Sequence, residues 1–206
     1  MLSQETVDLF DTINFAALRH RHQRRKGDDS SYIIHPLGVA KILHSEGGVN
    51  DLKVLQAAVL HDTVEDTNTT LEELKQTFGE EVARIVSEVT DNKSLSADAR
   101  KRHQVEHAKD ISHEGKLVKL ADKIYNLRDL LQVPPKGWDS KRIQGYFVWA
   151  KAVISQLKGT NEALEKIANG LWETTFTFEG EKYPTIPRDV NLDQFLEDYY
   201  TLMSKK

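Results

Sequence analysis

His61-Asp62 and, three residues on, Glu65-Asp66 place one imidazole and three carboxylates within six residues. They follow directly on the apolar run Val54-Leu55-Gln56-Ala57-Ala58-Val59-Leu60. An ionised carboxylate taken out of water without a partner costs more than the roughly 2–7 kcal/mol of a neutral polar group. A bound divalent cation removes that cost and brings hydrolytic chemistry with it. Two further residues can complete such a site. His35 stands beside a proline in Tyr32-Ile33-Ile34-His35-Pro36, and Asp122 flanks the stripe Leu117, Leu120, Ala121, Ile124, Leu127, Leu131. Taken singly, His35 reads as a helix cap or core histidine, and Asp122 as the partner of Lys119 or Lys123. Taken together, His35, His61, Asp62 and Asp122 make a mixed nitrogen and oxygen set suited to Mn²⁺, Fe²⁺, Zn²⁺ or Mg²⁺. The chain has no cysteine, so thiolate sites and disulfides are excluded.

The elements that must carry these residues are nearly all helical up to Asn169. Val7, Phe10, Ile13, Phe15, Ala17 and Leu18 give a first helical stripe. Pro36 suits the first turn of a second helix that stops at Gly47-Gly48. A third is expected over about 51–65, which would set His61 on one face with Glu65, and Asp62 with Asp66. Thr69-Thr70-Leu71-Glu72-Glu73 opens a short capped helix ending at Gly79, and Val82, Ile85, Val86 and Val89 continue at helical spacing. A polar helix over about 97–109 follows, then the strong helix at 117–131, and after Pro134-Pro135 a last long helix over about 140–168. Thr175 to Tyr183 alternates around a turn, which predicts a small hairpin, and Asn191 can cap a final helix through Met203. The expected organisation is a hydrolytic bundle over 1–170 with an extension over 171–206 packed on it.

At 206 residues with 39% hydrophobic and 29% charged residues, the composition is that of an ordinary globular chain. No apolar run is long enough to span a bilayer, and no signal peptide is visible, so a cytoplasmic protein without a membrane partner is expected. A net charge of −4 argues against a nucleic-acid binder. Arg19-His20-Arg21-His22-Gln23-Arg24-Arg25-Lys26 nevertheless packs five fixed positive charges into eight residues, as a solvated helix end or as a phosphate-binding edge. The remaining histidines, His20 among them, stand in polar contexts.

The order His…His-Asp…Asp on three helices is the signature of the HD superfamily of metal-dependent phosphohydrolases. The segments Tyr32 to Pro36, Ala57 to Thr67, Phe78 to Val82, Val89 to Asp91 and Val118 to Leu127 closely resemble the hydrolase domain of RelA/SpoT-type alarmone enzymes. Within that family the likeness is greatest to the short, single-domain metazoan SpoT homologues, over about residues 5–168. The resemblance implies an all-α HD-domain helical bundle that hydrolyses (p)ppGpp to GDP or GTP and pyrophosphate, without a synthetase domain and with one Mn²⁺ per chain. It implies His35, His61, Asp62 and Asp122 as metal ligands and Glu65 and Asp66 as the acids that orient or deprotonate the attacking water. It places the substrate-side Arg-Lys pair on Arg25 and Lys26, Tyr32 against the base or ribose, and Asn126 on the nucleoside. Lys93, Lys101 and Arg102 are either further phosphate contacts or solvated helix charge. Because the metazoan relatives are also associated with removing the 2′-phosphate of NADPH, another phosphorylated nucleotide stays open as substrate. A binding module without turnover is disfavoured, since all six acidic and imidazole positions are present.

Overall fold

Helix α3 (Leu52–Leu60) and helix α8 (His113–Gln132) are the two elements around which the others assemble. Ala57, Ala58, Val59 and Leu60 of α3 and Val118, Leu120, Ala121, Ile124 and Leu127 of α8 are all buried to within 1% of complete. The computed structural model describes residues 2–204. Packed against α3 are α1 (Gln4–Arg19), α2 (Ile34–Ser45) and α6 (Glu80–Val89). Helix α8 contacts α2, α3, α6, α9 (Ser140–Ser155) and α10 (Glu162–Trp172). The short helices α4 (Thr63–Asp66) and α5 (Leu71–Phe78) connect α3 to α6, and the polar α7 (Ala97–His107) lies between α6 and α8 in the chain. No helix among the described residues is long and apolar enough to cross a membrane.

The caps follow the local chemistry. Asp51 accepts from the Lys53 backbone N–H at 2.8 Å to open α3, and Thr70 accepts from that of Glu73 at 3.1 Å to open α5. Asp139 and Asn161 cap α9 and α10 in the same way. Three boundaries differ from the sequence expectation. The single long helix over 140–168 is two helices: the chain turns through Gly159, at φ +81°, and Asn161 starts afresh. The helix expected over 51–65 stops at Leu60. There the His61 ring nitrogen Nδ1 donates to the Ala58 carbonyl at 2.8 Å, and the Thr63 hydroxyl donates to the Leu60 carbonyl at 2.7 Å. Side chains thus take the last-turn carbonyls, the backbone bends at His61-Asp62, and α4 begins after it. Helix α8 also starts one turn earlier than expected, at a Ser112 cap.

The C-terminal segment forms the expected hairpin, β1 (Thr175–Phe178) and β2 (Glu181–Pro184), with Phe176 facing Tyr183 in register. Glu179 and Gly180 both have positive φ, 50° and 83°, as a tight two-residue connection requires. Phe176 is buried and stacks on Phe147 of α9 at 6.5 Å. Helix α11 (Leu192–Ser204) then lies on α7 and α9, burying Tyr199 and Tyr200.

One glycine shows how tightly α2 and α8 approach. A Cβ on Gly38 would lie 2.0 Å from the Tyr125 ring. Gly38→Ala is therefore expected to destabilise the fold by about 1–3 kcal/mol, as over-packing does. The urea midpoint checks this; an unchanged midpoint would mean that Tyr125 leaves α2 without cost.

Candidate metal centre and adjoining cleft

The bend after Leu60 turns His61 and Asp62 toward the same point, where α2 delivers His35 and α8 delivers Asp122. His35 Nε2 lies 3.2 Å from His61 Nε2, 3.3 Å from Asp62 Oδ2 and 3.2 Å from Asp122 Oδ1. His61 Nε2 is 3.2 Å from Asp62 Oδ2 and 3.7 Å from Asp122 Oδ1. For ligand bonds of about 2.0–2.2 Å, adjacent donors around one ion stand roughly 3.0–3.5 Å apart, so the donor set has the dimensions of a coordination sphere. Its chemistry also fits. The bond from Nδ1 of His61 to Ala58 fixes the tautomer that leaves the Nε2 lone pair facing the cluster. Among the described residues, His35, His61 and Asp62 are the one group of three His, Asp or Glu donors able to hold a metal, and Asp122 closes on the same two imidazoles.

Each carboxylate has further partners beside the imidazoles. Asp62 Oδ2 accepts from the Tyr32 hydroxyl at 2.5 Å. Asp122 accepts from Asn126 at 2.7 Å and from the Lys123 ammonium at 2.9 Å. Both readings of Asp122 therefore hold at once: it is the partner of Lys123 and a donor to the cluster. Burial alone would raise both carboxyls. The imidazoles, and the Lys123 ammonium beside Asp122, overturn that and hold Asp62 and Asp122 well below the usual carboxylate range. Burial likewise pulls His61 down, but Asp62 and Asp122 outweigh it and keep His61 well above its ordinary value. A site that stabilises a proton on an imidazole this strongly demands positive charge, and a metal ion satisfies the same demand.

Glu65 and Asp66, paired in sequence, part company in space. Glu65 faces the metal-side cavity, a space of about 190 Å³ that the four donors also line. It is pushed up to about 7 by burial and by the neighbouring carboxylates of Asp91 and Asp62, against one bond from the Asp91 backbone N–H. Asp66 instead faces an outer cleft of about 270 Å³ and is tied to Gln23 at 2.9 Å and Lys93 at 2.7 Å. Asp66 keeps the expected helical register with Asp62, its N–H donating to the Asp62 carbonyl at 2.9 Å, yet the two side chains face different spaces. Arg25, Lys26, Tyr32 and Asn126 all line the outer cleft, beside Trp138. Tyr32, Asn126 and Tyr146 line both spaces, so cleft and metal-side cavity share a wall. Arg25 is engaged by Asp129 at 2.5 Å, with its guanidinium over the rings of Tyr32 and Tyr125 at 5.6 and 5.7 Å.

Several residues escape sequence inspection. Lys119 and Lys123 are only 6% and 5% exposed, although each looks like an ordinary helix lysine, and both line the metal-side cavity with Lys101. Burial and the charge of Lys123 lower Lys119 to about 8, and they hold Lys101 well below its usual range. Burial would also lower Lys123, but the Asp122 carboxylate raises it. His20, from the basic run, is 1% exposed; its Nδ1 meets Gln23 Oε1 at 2.7 Å, extending a polar chain to Asp66. The basic run gives no sign of this, since periodicity does not report which cation turns inward.

The chain belongs to the HD domain family: residues 12–151 match the HD domain. Within it, metazoan proteins are among the similar relatives. The guanosine-3′,5′-bis(diphosphate) 3′-pyrophosphohydrolase MESH1 of Danio rerio is 56% identical over 167 residues, covering 81% of this chain and 93% of its own. The Homo sapiens protein of that name is 52% identical over 173 residues, covering 84% and 97%. Among solved structures, a metazoan orthologue of SpoT that hydrolyses ppGpp superposes with a TM-score of 0.79 at 43% identity, covering 84% of this chain and 96% of that one.

The raised Glu65 gives a signed expectation for the metal-free protein. Its folded value, about 7, stands above the unfolded carboxyl near 4.5, so the folded state holds a proton that the unfolded chain gives up first. Its contribution to stability is complete below about pH 4.5 and is lost as pH rises through 7. Glu65→Gln should therefore gain stability relative to wild type across that window and not below it. Paired urea titrations in EDTA at several pH values check this; a difference independent of pH would contradict it.

Proposed function

We propose that this chain is a divalent-metal-dependent ppGpp 3′-pyrophosphohydrolase, with Mn²⁺ as the metal. The observation that carries the proposal is the meeting of two halves. A four-donor centre with a near-neutral acid adjoins, through a shared wall, a cleft edged by Arg24, Arg25 and Lys26. A nucleotide whose pyrophosphate must reach the donors while its nucleoside stays outside matches that division. The names of the close relatives supply the substrate.

In this proposal water adds to the phosphorus attached to the ribose 3′-oxygen. The bond between them breaks, the hydroxyl goes to the departing pyrophosphate, and the proton ends on the 3′-oxygen of GDP. The cation, when bound, supplies Lewis acidity toward water and phosphoryl oxygen. Glu65, poised near neutrality, accepts the proton from the attacking water. Asp66, restrained by Gln23 and Lys93, orients the water or substrate from the cleft side. Tyr32 acts as a positioning residue, because its hydroxyl is committed to Asp62 rather than left for the base. Asn126 has the same role toward Asp122 while presenting its edge to the nucleoside. The lysines at 101, 119 and 123 offset negative charge spreading over the phosphoryl oxygens.

Pyrophosphate release from ppGpp with added Mn²⁺, against an EDTA control, tests the reaction. A larger kcat/KM for NADPH on the same preparation would replace the alarmone with that nucleotide. His61→Ala and Asp62→Ala are expected to abolish both turnover and stoichiometric metal. Glu65→Gln should keep the metal and lose about 10²–10⁴-fold in kcat, and Tyr32→Phe should lose about 10–100-fold in metal affinity or activity. Undiminished turnover without His61 or Asp62 would remove the metal assignment.

A further inference from the structure

Helix α7 poses a physical problem. It presents Lys101 and Gln104 to the metal-side cavity, yet none of its side chains is fully buried and only the part-buried Val105 packs against the core. A helix so nearly polar all round needs some other hold. That hold comes from α11, at the far end of the chain. Arg102 of α7 makes a two-pronged bond to Glu197, at 2.8 and 2.6 Å, and lies 4.0 Å above the Tyr200 ring. Its neighbour Lys101 sits among three aromatic rings: Nζ is 3.4 Å from the centre of Trp149, 4.8 Å from Tyr146 and 5.3 Å from Tyr199. Trp149 also donates to the Lys101 carbonyl at 2.9 Å. Such a cage favours the ammonium form by its attraction to the ring faces, against the burial and the Lys123 charge that lower Lys101.

Gly145 shows that the seating of Tyr199 is built into α9. A glycine inside a helix costs about 1 kcal/mol against alanine, and a Cβ here would lie 2.3 Å from Tyr199 Cδ2. The missing side chain is the space the Tyr199 ring occupies.

We propose that α11 is a working part of the active site: Tyr199, seated on Gly145, closes the cage that holds the Lys101 ammonium at the cavity wall, where it binds a substrate phosphate. Tyr199 is a positioning residue that acts through Lys101. The proposal rests on the phosphohydrolase reading of the adjoining site, and two independent measurements keep the two apart.

The first measurement is steady-state hydrolysis of ppGpp by the metal-loaded full chain. Loss of a charge-assisted contact to phosphate should raise KM about tenfold in Lys101→Ala. Tyr199→Ala should raise it severalfold with kcat within about threefold, and the double variant should be no worse than Lys101→Ala alone. Tyr199→Phe, which keeps the ring, should match wild type. Gly145→Ala guards against simple unfolding, since it favours the α9 helix yet displaces Tyr199; it should reproduce the Tyr199→Ala defect. The second measurement is the rate at which acetic anhydride labels Lys101, read by mass spectrometry, which should rise severalfold in Tyr199→Ala and Gly145→Ala whatever the substrate. An unchanged labelling rate, an unchanged KM, or additive effects of Tyr199→Ala and Lys101→Ala would overturn the proposal. Wild-type protein inert toward ppGpp, with labelling still responsive to Tyr199, would reject the substrate and leave the cage standing.

Discussion

Everything in this molecule is arranged around the mutual repulsion of four electron-pair donors. The imidazole nitrogens of His35 and His61 stand 3.2 Å apart, and each lies 3.2–3.7 Å from an oxygen of Asp62 and of Asp122, inside a largely apolar bundle. Such a cluster is unfavourable unless positive charge enters it, and desolvation makes the penalty larger. The fold meets the cost from outside the cluster. Tyr32 and Asn126 donate to the same carboxylate oxygens that face the imidazoles, Lys123 donates to the other oxygen of Asp122, and the Ala58 carbonyl holds the outward nitrogen of His61. The bundle behind them, α3 against α8 and α2, is rigid because small residues let the helices close up, with Gly38 receiving Tyr125.

Charge is then graded outward from that centre. The cluster itself carries two carboxylates. Asp91 extends the negative field, and burial together with Asp91 and Asp62 pushes Glu65 up to about 7. Three lysines on α7 and α8 oppose it across the same cavity, and the cleft beyond is edged by arginines and Lys26. A polyanion entering past the basic edge would meet cations on one wall and acids on the other, so the field sorts phosphate from proton acceptor. Arg25 shows how restrained this is: it is already paired with Asp129 and flanked by two rings, so it offers a fixed fork rather than a mobile charge.

The donors were legible from sequence because each is a polar residue placed against an apolar stripe, and such a placement has few inexpensive explanations. The helical scaffold and the hairpin were legible from periodicity and turn residues for similar reasons. The bend at His61-Asp62 was not. It depends on His61 and Thr63 capturing carbonyls of their own helix, a competition that leaves no mark in the spacing. Helical spacing already set Glu65 and Asp66 on different faces, but not that these faces open on two separate spaces. Lys119 and Lys123 were hidden for another reason. A lysine one residue from an apolar stripe is usually exposed; the pairing of Lys123 with Asp122 was readable, but the burial, with Lys123 Nζ 4.8 Å from the Trp149 ring of α9, belongs to the assembled structure.

The same contrast explains why the C-terminal segment looked like an attachment. Gly145 reads in sequence as a small flaw in a strong helix, and Tyr199 as one aromatic residue in a polar tail. Neither fact has meaning until the two are in contact. A helix that gives up about 1 kcal/mol of intrinsic propensity to admit one ring has been shaped by that ring. The ring in turn stands against Lys101, whose helix lacks an apolar face to hold it. Stability and function are coupled along this path. The donor centre stands on α2, α8 and the turn after α3, whereas part of its cationic wall is held by α11. Disturbing α11 should leave the donor geometry untouched, because none of the four donors leans on it. The electrostatics that a phosphate meets would change, and a segment outside the HD match would thereby set how the HD centre is used.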